Sequence, residues 1–138
     1  MSLRSRFIAV IILIIILFSV DMIAIKFYLY WSYGWLDKFM HIFGGFLAGS
    51  LVLIGRQAVL RRRSEAPMSN SSVLSIALLG GLLVGILWEV MEFSFGISRL
   101  GPNFFPDTII DLSMDLIGIL IAYMTWIKIP HKNITTQI

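Results

Sequence analysis

The 138-residue chain contains no cysteine, which excludes disulfide bonds and thiolate metal sites. Charged side chains are scarce at 14% of all residues, whereas soluble domains contain about 25%. Hydrophobic residues make up 58% of the chain, above the roughly 45–50% that is typical of soluble domains. These values predict an integral membrane protein with one transmembrane domain over residues 1–138 and no separate soluble domain.

Four apolar segments are long enough to cross a bilayer, which takes about 20 residues per helix. They cover residues 7–27, 36–54, 73–95 and 107–127. The aromatic stretch from Tyr28 to Trp35 lies between the first two and is typical of a headgroup interface. The connection from Arg56 to Ser72 is polar. We therefore predict an all-α, four-helix transmembrane bundle.

The basic residues predict the orientation of this bundle. In a four-span topology the following lie on one side: Arg4, Arg6, Arg56, Arg61, Arg62, Arg63, Lys128 and Lys132. Only Lys26, Lys38 and Arg99 lie near the other side. Because basic loops stay in the cytoplasm, both termini are predicted to be cytoplasmic, in a multi-pass protein of a prokaryotic cytoplasmic membrane. The net charge of +3 follows from this topology and does not indicate a nucleic-acid partner.

Most of the acidic residues fall at one predicted depth, near the outer surface. Seven of the eight lie there: Asp21, Asp37, Glu89, Glu92, Asp107, Asp111 and Asp115. An ionisable group inside a bilayer costs roughly 3 kcal/mol or more on insertion scales, so several at one level indicate a site.

Helical spacing arranges part of this set. Asp37 and His41 are four residues apart and share one face, which continues to Gly45 and Gly49. The third segment repeats the pattern in reverse, with two glycines at intervals of four before Glu89. Since small residues let helices approach closely in lipid, we predict that the second and third helices pack together through glycine.

Some of these residues also have a simpler interpretation. Asp37 and Asp107 begin helices, where a carboxylate caps free N–H groups. His41 can be a neutral, hydrogen-bonded histidine within the bundle. Four of the remaining acidic side chains need protons, cationic partners or a metal, because they lie deep or near the C-terminus of a helix: Glu89, Glu92, Asp111 and Asp115.

A divalent cation is one way to balance this charge. Oxygen ligands suit Mg²⁺, Mn²⁺ or Ca²⁺, whereas a histidine with two carboxylates suits Zn²⁺ or Fe²⁺. The predicted metal ligands are His41, Glu89, Glu92, Asp111 and Asp115.

The string from Leu36 to Gly44, Leu-Asp-Lys-Phe-Met-His-Ile-Phe-Gly, resembles the Asp-Lys-x-x-His motif of VanZ-like membrane proteins and of the related YjdF type. In those families a glutamate follows on the next helix, and here Glu92 or Glu89 fills that place. Their last helix carries Asp-x-x-x-Asp or Asp-x-x-x-Asn before glycine, matched by Asp111, Asp115 and Gly118. Aspartate at 115 favours the YjdF type. The resemblance implies a small polytopic protein with an outward polar motif, and VanZ-like proteins are linked to glycopeptide-antibiotic resistance.

The predicted function is a divalent-cation site that acts on or binds a lipid headgroup at the outer leaflet. The catalytic candidates are Asp37, His41, Glu92 and Asp111, while Lys38 and Arg99 would neutralise a phosphate. One alternative is a transporter, with the carboxylates relaying protons or a small cation and a homo-oligomer supplying the pathway. Another is a non-catalytic scaffold whose polar network fixes helix register.

Overall fold

The computed structural model describes residues 3–63, 68–96 and 104–127, whose regular structure is entirely helical. The described residues form five helices: α1 (Leu3–Lys26), α2 (Leu29–Ser32), α3 (Gly34–Arg63), α4 (Asn70–Phe95) and α5 (Phe104–Ile127). The four longer ones are long and apolar enough to cross a membrane. This confirms the predicted all-α bundle of four membrane-length helices. The cytoplasmic location of the termini and the single-domain organisation stay predictions.

Three of the four predicted segments lie wholly inside α3, α4 and α5, and α1 covers the first as far as Lys26. The polar connection predicted from Arg56 to Ser72 is wrong in extent, because α3 continues to Arg63. Hydropathy shows where the apolar part of a helix ends, but it does not show where the helix itself ends. The last part of α3 contains arginine, glutamine and leucine, which favour a helix. The three arginines in the last turn of α3 also complement its dipole.

Local signals define several helix ends. The Ser69 hydroxyl accepts a hydrogen bond from the Ser72 backbone N–H at 3.2 Å and caps α4. Gly96 ends the same helix in a left-handed conformation at φ 64°, which suits glycine. Tyr28 adopts φ 57° between α1 and α2, and it turns the chain into the aromatic stretch.

Among the described residues, helix α3 packs on all the other helices, and glycines of α3 and α4 face α5. A Cβ at Gly45 would fall on the Asp115 backbone, and one at Gly81 would lie 2.6 Å from Ile119 Cδ1. Helices α3 and α4 do pack together through a glycine, as predicted, but the glycine is Gly80, which lies against Val52. The glycines that the spacing singled out pack on α5 instead.

Helix α1 lies at the edge of the bundle and packs on α3. Most of its large apolar side chains are exposed, as expected for a lipid-facing helix. At its N-terminal end the buried Arg6 donates to Gln57 Oε1 at 2.8 Å and stacks over the Trp126 ring at 5.0 Å. These contacts anchor α1 at the end of the bundle opposite the acidic residues.

Candidate functional site

The acidic residues of three helices meet at one end of the bundle. This end contains the first turns of α3 and α5 and the last turns of α4. We call the following residues the acid–histidine cluster: Asp37, Lys38, His41, Glu89, Asp107, Asp111 and Asp115. All seven take part in its ion pairs and close polar contacts.

Lys38 joins α3 to α5 through three carboxylates. Its Nζ donates to Asp111 Oδ1 at 2.5 Å, to Asp107 Oδ1 at 2.8 Å and to Asp37 Oδ2 at 3.1 Å. An ammonium group has three donors, so all three are used. Asp37 and Asp107 do lie in the first turns of their helices, as the capping interpretation requires, but both carboxylates also bind Lys38.

His41 lies among four carboxylates and is only 6% exposed. Its Nδ1 is 3.4 Å from Asp115 Oδ1. Its Nε2 is 3.8 Å from Glu89 Oε1 and 3.9 Å from both Asp37 Oδ1 and Asp111 Oδ1. These Nε2 distances are too long for hydrogen bonds. They are close to the spacing of about 3–4 Å between neighbouring ligands of one metal ion.

Two buried carboxylate oxygens have no hydrogen-bond partner among the described residues. They are Glu89 Oε1 and Asp115 Oδ2. The other Glu89 oxygen accepts a hydrogen bond from the Thr108 hydroxyl at 2.9 Å. A buried polar atom without a partner costs about 1–3 kcal/mol, and more when it is charged. The cluster therefore has unused capacity for a proton or a cation.

The donor set fits a metal in part. Asp37, His41 and Asp111 each offer one ligand atom, and these atoms lie within 4.8 Å of one another. The two carboxylate oxygens of Asp37 have different neighbours: Oδ2 binds Lys38, and Oδ1 lies towards His41. Asp111 presents the same oxygen to Lys38 and to His41, so a cation bound there would compete with the lysine.

Close helix packing makes room for Asp115. This residue is 4% exposed, and its carboxylate lies beside Gly44 and Gly85. A Cβ at Gly85 would lie 2.5 Å from Asp115 Oδ2. A larger residue at position 85 would displace the Asp115 carboxylate from this position.

The predicted site residue Glu92 has no contact in the acid–histidine cluster among those that the structure describes. Glu92 accepts a hydrogen bond from Trp88 Nε1 at 2.8 Å and lines a cavity next to the cluster. Helical geometry separates it from Glu89 by about 60° of rotation, because the two residues are three apart. Arg99 lies outside the described residues. Asp21, at the same end of the bundle, accepts a hydrogen bond from the Tyr30 hydroxyl at 2.7 Å.

Sequence analysis missed Thr108, Tyr30 and Trp88, which orient three of the acidic side chains. Trp88 and Glu92 are four residues apart on α4, a spacing that indicates a shared face. Tyr30 contacts Asp21 across a turn, which no spacing rule predicts. Burial and this hydrogen bond raise the pKa of the Tyr30 phenol above its ordinary value, so it remains a donor at neutral pH.

Two cavities adjoin the cluster. The polar cavity, of about 330 Å³, is lined by Asp21, Tyr30, Trp31, Asp37, Lys38, Trp88, Glu89, Glu92, Asp107, Thr108 and Asp111, among others. The apolar cavity, of about 310 Å³, lies between α1, α3 and α4 and is lined by Ile14, Leu17, Leu47, Leu51, Val84 and Trp88, with His41 and Asp115 also on its wall. Phe18, Asp21, Tyr30, Asp37, Trp88 and Glu92 line both.

Comparison with known families supports the membrane assignment. The model of a family described as "Predicted membrane protein (DUF2238)" matches residues 1–133. No curated protein and no solved structure matches the chain. The VanZ-like or YjdF-type resemblance stays a prediction.

Proposed function

The chain belongs to this family of membrane proteins, and on that premise we propose that the acid–histidine cluster binds a divalent cation to act on a phosphate-bearing lipid headgroup at the outer leaflet. The observation that carries the proposal is the pair of unpartnered buried oxygens, Glu89 Oε1 and Asp115 Oδ2, beside His41. A bound cation and its water would give these oxygens partners that the described residues do not provide.

The charge of the cluster supports the same conclusion. Five carboxylates surround one lysine and one histidine, and Glu89, Asp111 and Asp115 are buried. Buried carboxylates must be protonated, paired or bound to metal, because an isolated buried charge is very costly. A divalent cation reduces this excess negative charge without protonating the ligands.

We propose Asp37, His41 and Asp111 as the ligands, with Glu89 and Asp115 completing the surroundings of the ion. Their oxygen-rich set with one imidazole is compatible with Mg²⁺, Mn²⁺, Ca²⁺ or Zn²⁺, and the nitrogen ligand favours Mn²⁺ and Zn²⁺ among them.

When bound, the cation would polarise a phosphoryl oxygen and lower the pKa of a bound water. Glu89 would accept the proton of that water through its unpartnered Oε1. Lys38 would bind a phosphate oxygen in place of Asp107, the most exposed of its three partners at 44%. In hydrolysis the water oxygen would bond to phosphorus, the phosphorus–oxygen ester bond would break, and the departing oxygen would take the proton that Glu89 had accepted.

The depth of the cluster favours this function over transport. Asp107, Asp111 and Asp115 follow one stripe of α5, and the next position of that stripe is Ile119. Ile119 is fully buried and packs against Gly49 and Gly81. The polar stripe therefore stops inside the bundle, an arrangement that supports a site open to one side.

Metal titration of the purified protein tests the proposal. After treatment with a chelator, we expect the wild type to bind Mn²⁺ or Zn²⁺ at micromolar concentration in isothermal titration calorimetry. Asp111→Asn should weaken binding by at least about tenfold, as ligand-shell changes do. Asp21→Asn is the matched control, because it makes the same replacement outside the cluster and keeps the acceptor for Tyr30.

Equal cation affinities in wild type and Asp111→Asn, or no binding by the wild type, would refute the metal site. The reaction needs a separate assay. Vesicles of a phospholipid should release its headgroup or phosphate only with wild-type protein and cation together, and Glu89→Gln should abolish the release.

A further inference from the structure

One part of the wall of the polar cavity combines carboxylates with aromatic rings. Asp21 comes from α1 and Glu92 from α4, while Tyr30 and Trp88 stand beside them. Trp31 lines the same cavity and is 53% exposed. The predicted metal role of Glu92 does not account for this wall.

The aromatic side chains orient both carboxylates. Tyr30 donates to Asp21 Oδ1 at 2.7 Å, and Trp88 Nε1 donates to Glu92 Oε1 at 2.8 Å. Each carboxylate is thus held by the ring that lines the cavity with it. Aromatic faces next to anionic oxygens are the chemistry with which proteins recognise ammonium groups, through cation–π attraction and ion pairing.

The charge of the cavity points to a cationic ligand as well. Six carboxylates line it, and Lys38 is the one basic residue among its described lining residues. Glu89, which is 7% exposed and carries the unpartnered Oε1, also lines this cavity. A volume of about 330 Å³ is sufficient for a small organic group.

The apolar cavity indicates what kind of molecule carries such an ammonium group. It shares Asp21, Trp88 and Glu92 with the polar cavity and continues between α1 and α4 along Leu17 and Val84. These helices are membrane-length and largely apolar on their exposed surfaces. A ligand that fills both cavities has a charged head and a hydrocarbon chain, as a phospholipid does.

We propose that the polar cavity binds the ammonium group of an amine-bearing phospholipid headgroup between Asp21 and Glu92, with an acyl chain in the apolar cavity. This inference rests on the proposed function, because it places the phosphate of the same headgroup at the acid–histidine cluster. It assigns Glu92 to substrate recognition instead of metal binding.

Binding of short-chain phospholipids to the detergent-purified protein tests the proposal, with and without Mn²⁺. The probes are dihexanoyl phosphatidylethanolamine, phosphatidylcholine and phosphatidylglycerol, of which the last has the phosphate but no amine. We expect the two amine lipids to bind more tightly than phosphatidylglycerol. Glu92→Gln, which keeps an acceptor for Trp88, should reduce that preference by about tenfold.

Asp21→Asn should change the preference in the same direction, so the result does not depend on one variant. Ser94→Ala is the control on α4, because its hydroxyl bonds only to the Val90 carbonyl among the contacts that the structure describes. Free choline and ethanolamine distinguish the sources of the ammonium group. If they bind as tightly as the lipids, the acyl-chain part of the proposal is wrong.

The two proposals fail differently. Metal binding with no preference for amine lipids, or with a preference that Glu92→Gln leaves intact, overturns this inference and leaves the proposed function standing. An amine preference that Glu92→Gln abolishes, in a protein that binds no divalent cation, refutes the metal site and leaves the ammonium site standing.

Discussion

At the residue scale, Lys38 is the cation that the bundle itself provides for its acidic residues. It binds three carboxylates from α3 and α5, including the nearly buried Asp111 side chain, which is 6% exposed. Removing one partner of a buried pair leaves an uncompensated charge, which costs about 3–5 kcal/mol in fully buried cases. Because Lys38 retains 24% exposure, the lower end of that range applies.

We therefore predict that Lys38→Met lowers the apparent melting temperature of the protein in the presence of a chelator. The added cation should reverse much of this loss, because it takes the position of the ammonium group beside Asp37 and Asp111. The measurement is a thermal melt of the detergent-purified protein with EDTA and then with Mn²⁺.

Lys26→Met is the control for Lys38→Met, because Lys26 is exposed at the end of α1 and lies beside the Phe27 ring. Exposed substitutions of this kind usually change stability by within about 0.5 kcal/mol. If Lys38→Met and the wild type have the same melting temperature in chelator, the three ion pairs contribute no stability and the prediction is wrong.

Part of this cluster could be predicted from the sequence, because helical periodicity determines which residues of one helix share a face. The periodicity predicted that Asp37 and His41 share one face of their helix, as they do. It could not predict that Lys38 bridges to Asp107 and Asp111, which are 69 and 73 residues away. The rotation of one helix against another depends on packing contacts, which the spacing of residues within one helix does not specify.

At the element scale, the structure depends on close contacts between α5 and its two neighbours. Small residues were visible in the sequence, but glycine spacing does not state which helix approaches. Gly45 and Gly118 allow the α3 and α5 backbones to approach each other closely. On α4, Gly81 leaves space for the Ile119 side chain and Gly85 for the Asp115 side chain. The position of Asp115 next to His41 is a consequence of these contacts.

A pair of glycine variants on α3 isolates this packing. Gly45→Ala would place a Cβ on the Asp115 backbone, which cannot move aside, so we expect a loss of about 1–3 kcal/mol or more from overpacking. At Gly55 a Cβ meets nothing within 4 Å, so Gly55→Ala should stabilise α3 by roughly 0.5–1 kcal/mol.

Both glycine variants change helix propensity equally, and only the contact with α5 differs between them. Melting temperature and metal affinity should fall together in Gly45→Ala, because Asp115 and His41 depend on the same approach of the helices. A Gly45→Ala protein as stable as Gly55→Ala would show that α3 and α5 are not in backbone contact.

At the scale of the whole molecule, the two ends of the bundle differ in character. One end holds the acid–histidine cluster and both cavities, while the other holds the arginines at the end of α3 and the buried Arg6. Composition was sufficient to predict the membrane and the number of long helices, because a span needs a minimum apolar length. The cavities depend on the separation of α1 from α4, which no single segment encodes.

The orientation of this asymmetric bundle decides whether the cluster meets the outer leaflet. Since the chain has no cysteine, single cysteines introduce the only thiol available for labelling. Tyr33→Cys lies between α2 and α3 at the cluster end, and Met68→Cys lies between α3 and α4 at the opposite end; both positions are exposed. The positive-inside rule predicts that a membrane-impermeant maleimide labels Tyr33→Cys in intact cells and Met68→Cys only after permeabilisation. The reverse pattern would place the arginine-rich end outside and the cluster in the cytoplasmic half, where an outer-leaflet headgroup cannot reach it.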